Sequence, residues 1–136
     1  MITPHMNWVA IMVAAFVAFV GGAIWYSPVL FAKRWSELVG MTDESAQSGG
    51  MAVAMIIQAV QAVVAAAVIA VVVSWSGSDN PLEGAGVGAL LGGGIVALDH
   101  VKLLVFERRS PVLFGINNGY TMLAFILIGA IEATWR

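Results

Sequence analysis

Four long runs of apolar residues, Trp8 to Tyr26, Met51 to Trp75, Leu82 to Phe106 and Val112 to Ile131, alternate with short polar stretches. Each reaches the roughly 20 residues that an α-helix needs to cross a hydrocarbon core of about 30 Å. The pattern predicts an all-α membrane fold. Its four transmembrane helices, over about 8–26, 51–75, 82–106 and 112–131, are expected to form an antiparallel bundle in a single domain spanning 1–136.

Between the first two runs, Phe31, Trp35, Leu38 and Val39 recur at helical spacing while Lys33, Arg34 and Glu37 fall mostly elsewhere. This predicts a short amphipathic helix over about 28–40, lying in the cytoplasmic interface. Ser27 is placed to cap it, Pro28 suits its first turn and Gly40 suits its end. Thr42 to Gly50, polar and rich in Ser and Gly, reads as a loop. The pentapeptide Ser27-Pro28-Val29-Leu30-Phe31 returns as Ser110-Pro111-Val112-Leu113-Phe114, each time after an odd-numbered membrane helix. Shared capping chemistry is a simpler source than a duplicated hairpin, because little else aligns at the same offset.

Composition narrows the class. With 60% hydrophobic and 10% charged residues, the 136-residue chain is too apolar for a soluble domain and too short for two domains. It has no cysteine, which removes disulfides, thiolate metal sites and cysteine nucleophiles. No basic cluster of the kind nucleic acid requires is present, so the partners expected are the lipid bilayer and other membrane proteins. The segment before Trp8 lacks Lys and Arg, so the first run is expected to be a retained helix rather than a cleaved signal. Lys33 and Arg34 follow the first run and Arg108 and Arg109 the third, whereas Asp79 and Glu83 are the only charges between the second and third. Basic loops favour the cytoplasm, which places both termini outside it.

The third run holds a chemical anomaly in Asp99, His100 and Lys102. An ionised side chain at a helix centre in a bilayer costs roughly 2.5 to 3.5 kcal/mol on insertion scales. The same helix carries Gly84, Gly88 and Gly92 at four-residue intervals, a seam that lets backbones approach closely, with Ala85, Ala89, Gly93 and Ala97 repeating it one step round. On a regular helix turning 100° per residue, Asp99 projects from the middle of the glycine seam and Lys102 lies about 60° from it. His100 points about 100° away from Asp99 and finds no partner.

At a rise of 1.5 Å per residue, Gln58, Gln61, Asp99, Lys102, Asn117, Asn118 and Thr121 all fall about 9 to 15 Å below the basic boundary. They are expected to form one polar layer in the cytoplasmic half. Its structural reading is interhelical hydrogen bonding, with Asp99 and Lys102 neutralising each other. Its functional reading is a proton or small-solute site. Glu132, beside Trp135 and Arg136 near the outer end, is expected to be partly solvated. The sequence has no metal motif, Ser-His-acid order, phosphate loop or haem motif, so no metal and no cofactor are expected.

Trp25-Tyr26-Ser27-Pro28, preceded by Asn7-Trp8 and followed by Phe31, Lys33 and Trp35, resembles the bacterial membrane family catalogued as domain of unknown function 1761. Phe106-Glu107-Arg108-Arg109-Ser110 and Leu113-Phe114-Gly115-Ile116-Asn117-Asn118-Gly119-Tyr120 are similar to its second motif, so the resemblance covers nearly the whole chain. It implies a small four-helix protein of the bacterial inner membrane, with no known activity. Within the motifs, Asn117 and Tyr120 are the candidates for a shared polar contact.

With so little mass outside the membrane, function is expected in the bundle or its contacts. The favoured expectation is a non-enzymatic structural or accessory protein whose seams bind copies of itself or a larger membrane partner. The alternative is a small transporter or channel for protons, ions or a small solute through the polar layer. A lipid enzyme is disfavoured, since no nucleophile and base pair can be assembled.

Overall fold

A computed structural model describes residues 3–47 and 49–135, and among these the structure is helical with no strand. In chain order the elements are α1 (Trp8–Trp25), α2 (Ala32–Val39), α3 (Asp43–Ala46), α4 (Gly49–Ser76), α5 (Pro81–Leu91), a π-helical turn (Gly92–Ala97), α6 (Leu98–Val105) and α7 (Pro111–Thr134). Four spans are long and apolar enough to cross a membrane: α1, α4, the continuous Pro81–Val105 and α7. They fit a multi-pass membrane protein.

Local chemistry sets the ends. Asn7 caps α1 by accepting from the Val9 and Ala10 N–H groups at 3.1 and 3.2 Å, and Asn80 caps α5 ahead of Pro81. Gly40 and Gly77, with φ of 71° and 74°, take the left-handed conformation just past α2 and α4.

The repeated pentapeptide behaves differently in its two copies. Ser110 caps α7, accepting from Val112 and Leu113 N–H, with Pro111 in the first turn. Ser27, expected to cap a helix from 28, instead lends its carbonyl to the N–H groups of Leu30 and Ala32, and α2 starts only at Ala32. The Trp25 and Phe31 rings meet at 4.8 Å and the Phe31 N–H returns to the Trp25 carbonyl, so these residues turn a corner before the helix begins. The expected loop from Thr42 to Gly50 contains the single turn α3, held by reciprocal Thr42 and Ser45 caps.

α7 is the element that α1, α4 and α5 all contact. It runs antiparallel to α1, since Trp25 Nε1 donates to the Ile116 carbonyl at one end and Asn7 Nδ2 to the Trp135 carbonyl at the other. α5 lies so close to α7 that a Cβ on Gly84 would strike the Gly129 backbone, and one on Gly88 the Phe125 backbone. Gly92 continues the contact against Met122. The glycine seam thus packs within one chain. α1 and α4 meet through small side chains, Ala10, Ala14, Ala15 and Ala18 against Ala62, Ala66 and Ala70, around Ile11, Ile69, Val73 and Ile128. No residue of α4 before Ala62 is buried, so its first half is left unpacked.

Substituting Gly84 or Gly129 by Ala should force α5 and α7 apart and destabilise the protein by about 1 to 3 kcal/mol, the usual range for overpacking. Gly115→Ala, where nothing lies within 4 Å, should match or exceed the parent. Thermal unfolding in detergent micelles, followed by circular dichroism, measures both.

Candidate functional site

The π-helical turn decides where the charges go. Such a turn holds about one residue more than an α-helix does, so everything after it is rotated by about 100°. His100 therefore takes the inward position that a regular helix would give to Asp99. Its Nδ1 lies 2.8 Å from Asn118 Oδ1. Asn118 Nδ2 donates to the Phe114 carbonyl at 3.0 Å, which leaves Oδ1 as the acceptor and puts the imidazole proton on Nδ1. His100, expected to lack a partner, locks α6 to α7.

Asp99 and Lys102 are turned outward instead. Their side chains are 59% and 58% exposed, and Lys102 Nζ holds the Asp99 carboxylate at 2.8 Å. The expected polar layer is therefore divided into three. Asp99 with Lys102 stands on the outer face, and Asn118 with His100 lies between α6 and α7. Gln58, Gln61, Asn117 and Thr121 line a separate crevice. The run Gly92-Gly93-Gly94 is the visible trace of the turn in the sequence, since glycines accompany helix distortions.

The crevice encloses about 750 Å³ between α1, α2, α4 and α7, at the end that carries Lys33, Arg34, Arg108 and Arg109. It exists because the unpacked half of α4 faces α1 and α7 without closing on them. Of the family-motif residues, Tyr26, Trp35, Asn117 and Tyr120 line it, and Trp25 with Gly119 joins α1 to α7 beside it. Trp25 lies across Gly119, where a Cβ would meet its ring at 3.1 Å, and Tyr120 lies across Gly22 in the same way. Tyr26 donates to Asn117 Oδ1 at 2.8 Å, Tyr120 donates to the Ala18 carbonyl at 2.8 Å, and their rings meet edge-on at 5.6 Å. Tyr26 also meets Trp35 of α2 at 5.6 Å, which holds that helix against the crevice. The other motif positions lie elsewhere. Asn7 is the cap of α1, Trp8 and Pro28 are exposed, Ser27 turns the corner, and Glu107 pairs with Arg109 on the surface at 3.2 Å.

Hydrogen-bonding capacity in the crevice is incompletely used. Gln58 Nε2 donates to Gln61 Oε1 at 2.9 Å, and Thr121 Oγ1 donates to the Asn117 carbonyl at 3.1 Å. Among the described residues, Gln58 Oε1, Gln61 Nε2 and Asn117 Nδ2 have no further partner. The polar lining comprises amides, hydroxyls and the phenols of Tyr26 and Tyr120, and among the described residues it includes no carboxylate, imidazole, ammonium or guanidinium.

Glu132 departs from expectation at the other end. It is 5% exposed rather than solvated, and among the described residues nothing hydrogen-bonds its Oε1. A gap of about 10 Å³, room for one water, adjoins it beside His5, Asn7, Ser74 and Trp135. The chain ahead of α1 folds back here, with the His5 N–H donating to Ser74 Oγ at 2.8 Å. Arg136, its expected neighbour, lies outside the described residues.

No curated protein and no solved structure matches this chain. Residues 9–132 match the family described as "Protein of unknown function (DUF1761)", which takes in α1 through most of α7 and with them the whole crevice. The chain belongs to that family.

Proposed function

We propose that this protein is a membrane-embedded binding protein for a neutral amphiphile, a molecule with an apolar chain and a hydroxyl or amide head. The observation that carries the reading is a crevice of about 750 Å³ whose unused polar atoms are uncharged and include both donors and an acceptor. That volume falls in the range of roughly 300 to 1,000 Å³ typical of small-molecule sites. A hydroxyl or amide both donates and accepts, so it fits Gln58 Oε1, Gln61 Nε2 and Asn117 Nδ2 together. An ionised head would enter a low-dielectric site without a countercharge, at a cost of several kcal/mol or more.

The exposed positions of Ala23, Ala54, Met55, Gln58 and Gln61 leave the crevice open between α1 and α4, where a chain can enter from the bilayer. Lys33 and Arg34 on α2 support a mouth at the cytoplasmic face under the positive-inside tendency. The reading is non-enzymatic, a matter of holding or passing on the molecule. Conduction of protons or ions draws less support, because Asp99 and Lys102 face outward and His100 is engaged by Asn118. Docking through the Gly84, Gly88 and Gly92 seam likewise loses its motive, since α7 occupies it.

A palmitic amide brominated along its chain is expected to quench the fluorescence of Trp35, with the signal identified by its loss in Trp35→Phe. The corresponding brominated fatty acid anion and alkylammonium should bind at least tenfold more weakly. Gln61→Leu and Asn117→Leu should each weaken amide binding about five- to tenfold, the worth of one hydrogen bond. Equal quenching by all three heads, or no response to the substitutions, would refute the reading.

A further inference from the structure

The outward face of α5, the π-helical turn and α6 carries two features that packing within a single copy of the chain does not require. The first is a pair of glycines. A Cβ on Gly86 would meet nothing within 4 Å, and one on Gly94 would make only an ordinary contact with Leu90 Cδ1 at 3.5 Å. Packing inside the protomer therefore requires neither, in contrast to Gly84 and Gly88 on the opposite side, although glycine in a helix interior is less stable than alanine.

The second feature is the Asp99–Lys102 ion pair, which stands in apolar surroundings on the same side. Leu98 and Val105 near it in α6, and Leu90 farther along the same face, are 65%, 62% and 69% exposed. With the π turn counted as one extra residue, Gly86, Leu90, Gly94, Leu98 and Lys102 fall within an arc of about 80°, and Asp99 lies at its edge. Lipid chains solvate such a pair poorly. A surface that would cover it must be smooth enough to approach the glycines and must carry the opposite charges in reverse.

A second copy of this chain meets both conditions. About a two-fold axis along the membrane normal, two such faces oppose each other at equal depth. Asp99 and Lys102 are offset by about 4.5 Å along the helix, within the reach of a lysine side chain, so each ammonium can contact Asp99 of the other copy. Gly86 and Gly94 let the backbones draw together. We infer that this face forms a parallel homodimer in which two Asp99–Lys102 pairs join into one four-charge network. The interface lies away from the crevice and stands or falls independently of what the crevice binds.

The charges supply the test. Energy transfer between donor- and acceptor-labelled copies is measured in liposomes over a dilution series, for the parent, for Asp99→Lys, for Lys102→Asp and for an equal mixture of the two variants. The parent should associate, and each variant alone should associate at least tenfold more weakly, because it presents two like charges to itself. The mixture should recover association to the parent level or beyond. Both variants break the pair within their own chain, so recovery on mixing arises only between copies. Gly94→Leu, which adds no charge, should also weaken the parent's association. A parent that stays monomeric, a mixture no better than its components, or indifference to Gly94→Leu would overturn the dimer.

Discussion

The near-contact of the α5 and α7 backbones at Gly84, Gly88 and Gly129 is the constraint on which the rest of the structure depends. In lipid, burial of apolar surface gives helices little reason to associate, and dispersion between closely fitted surfaces takes its place. Three glycines allow α5 to settle on α7 with no side chain between them. α7 meets α1 elsewhere through Trp25 over Gly119 and Tyr120 over Gly22, again aromatic rings laid on glycine. α4 lacks such a fit over its first half, where Val53, Ile56, Ile57 and Val60 remain exposed. The crevice is the space left between two tightly fitted contacts and one helix that joins only at its far half.

The π-helical turn then sorts the polar groups by charge. Without it, Asp99 would face α7 at Asn118 in the place that His100 takes. With it, the group facing α7 is an imidazole that hydrogen-bonds Asn118, and the ion pair is carried to the outside. A one-residue change of phase puts an imidazole against α7 and an ion pair on the outer surface. The dimer reading follows from that outward ion pair, whereas the amphiphile reading rests on the crevice residues of α1, α4 and α7.

Much of this was legible in the sequence. The four spans follow from apolar length, the Ser110 cap from its pentapeptide, and the close packing from the four-residue spacing of Gly84, Gly88 and Gly92. The resemblance pointed to Trp25, Tyr26, Asn117, Gly119 and Tyr120, which the structure brings together as the α1–α7 joint beside the crevice. What was not legible depends on broken regularity or on contact at a distance. A helical wheel assumes a constant 100° per residue, so it assigned Asp99 the place that His100 takes. Ser27 and Ser110 open identical pentapeptides, and only the Trp25–Phe31 contact shows that the first turns a corner. Depth along a helix put Gln58 level with Asp99 but could not show that they face different surroundings. Burial of Glu132 depends on residues ahead of α1 folding over the far end of α4 and α7, which no local pattern announces.

Whether the crevice is a site for a neutral amphiphile or an unfilled packing defect is decided by an experimental structure of the protein in bilayer nanodiscs made from its native lipids. A site should hold an elongated molecule between α1, α4 and α7, its uncharged head within hydrogen-bond distance of Gln58, Gln61 or Asn117. A closed arrangement, with α4 packed along its whole length and Gln58 and Gln61 bonded directly to Asn117 and Thr121, would contradict it.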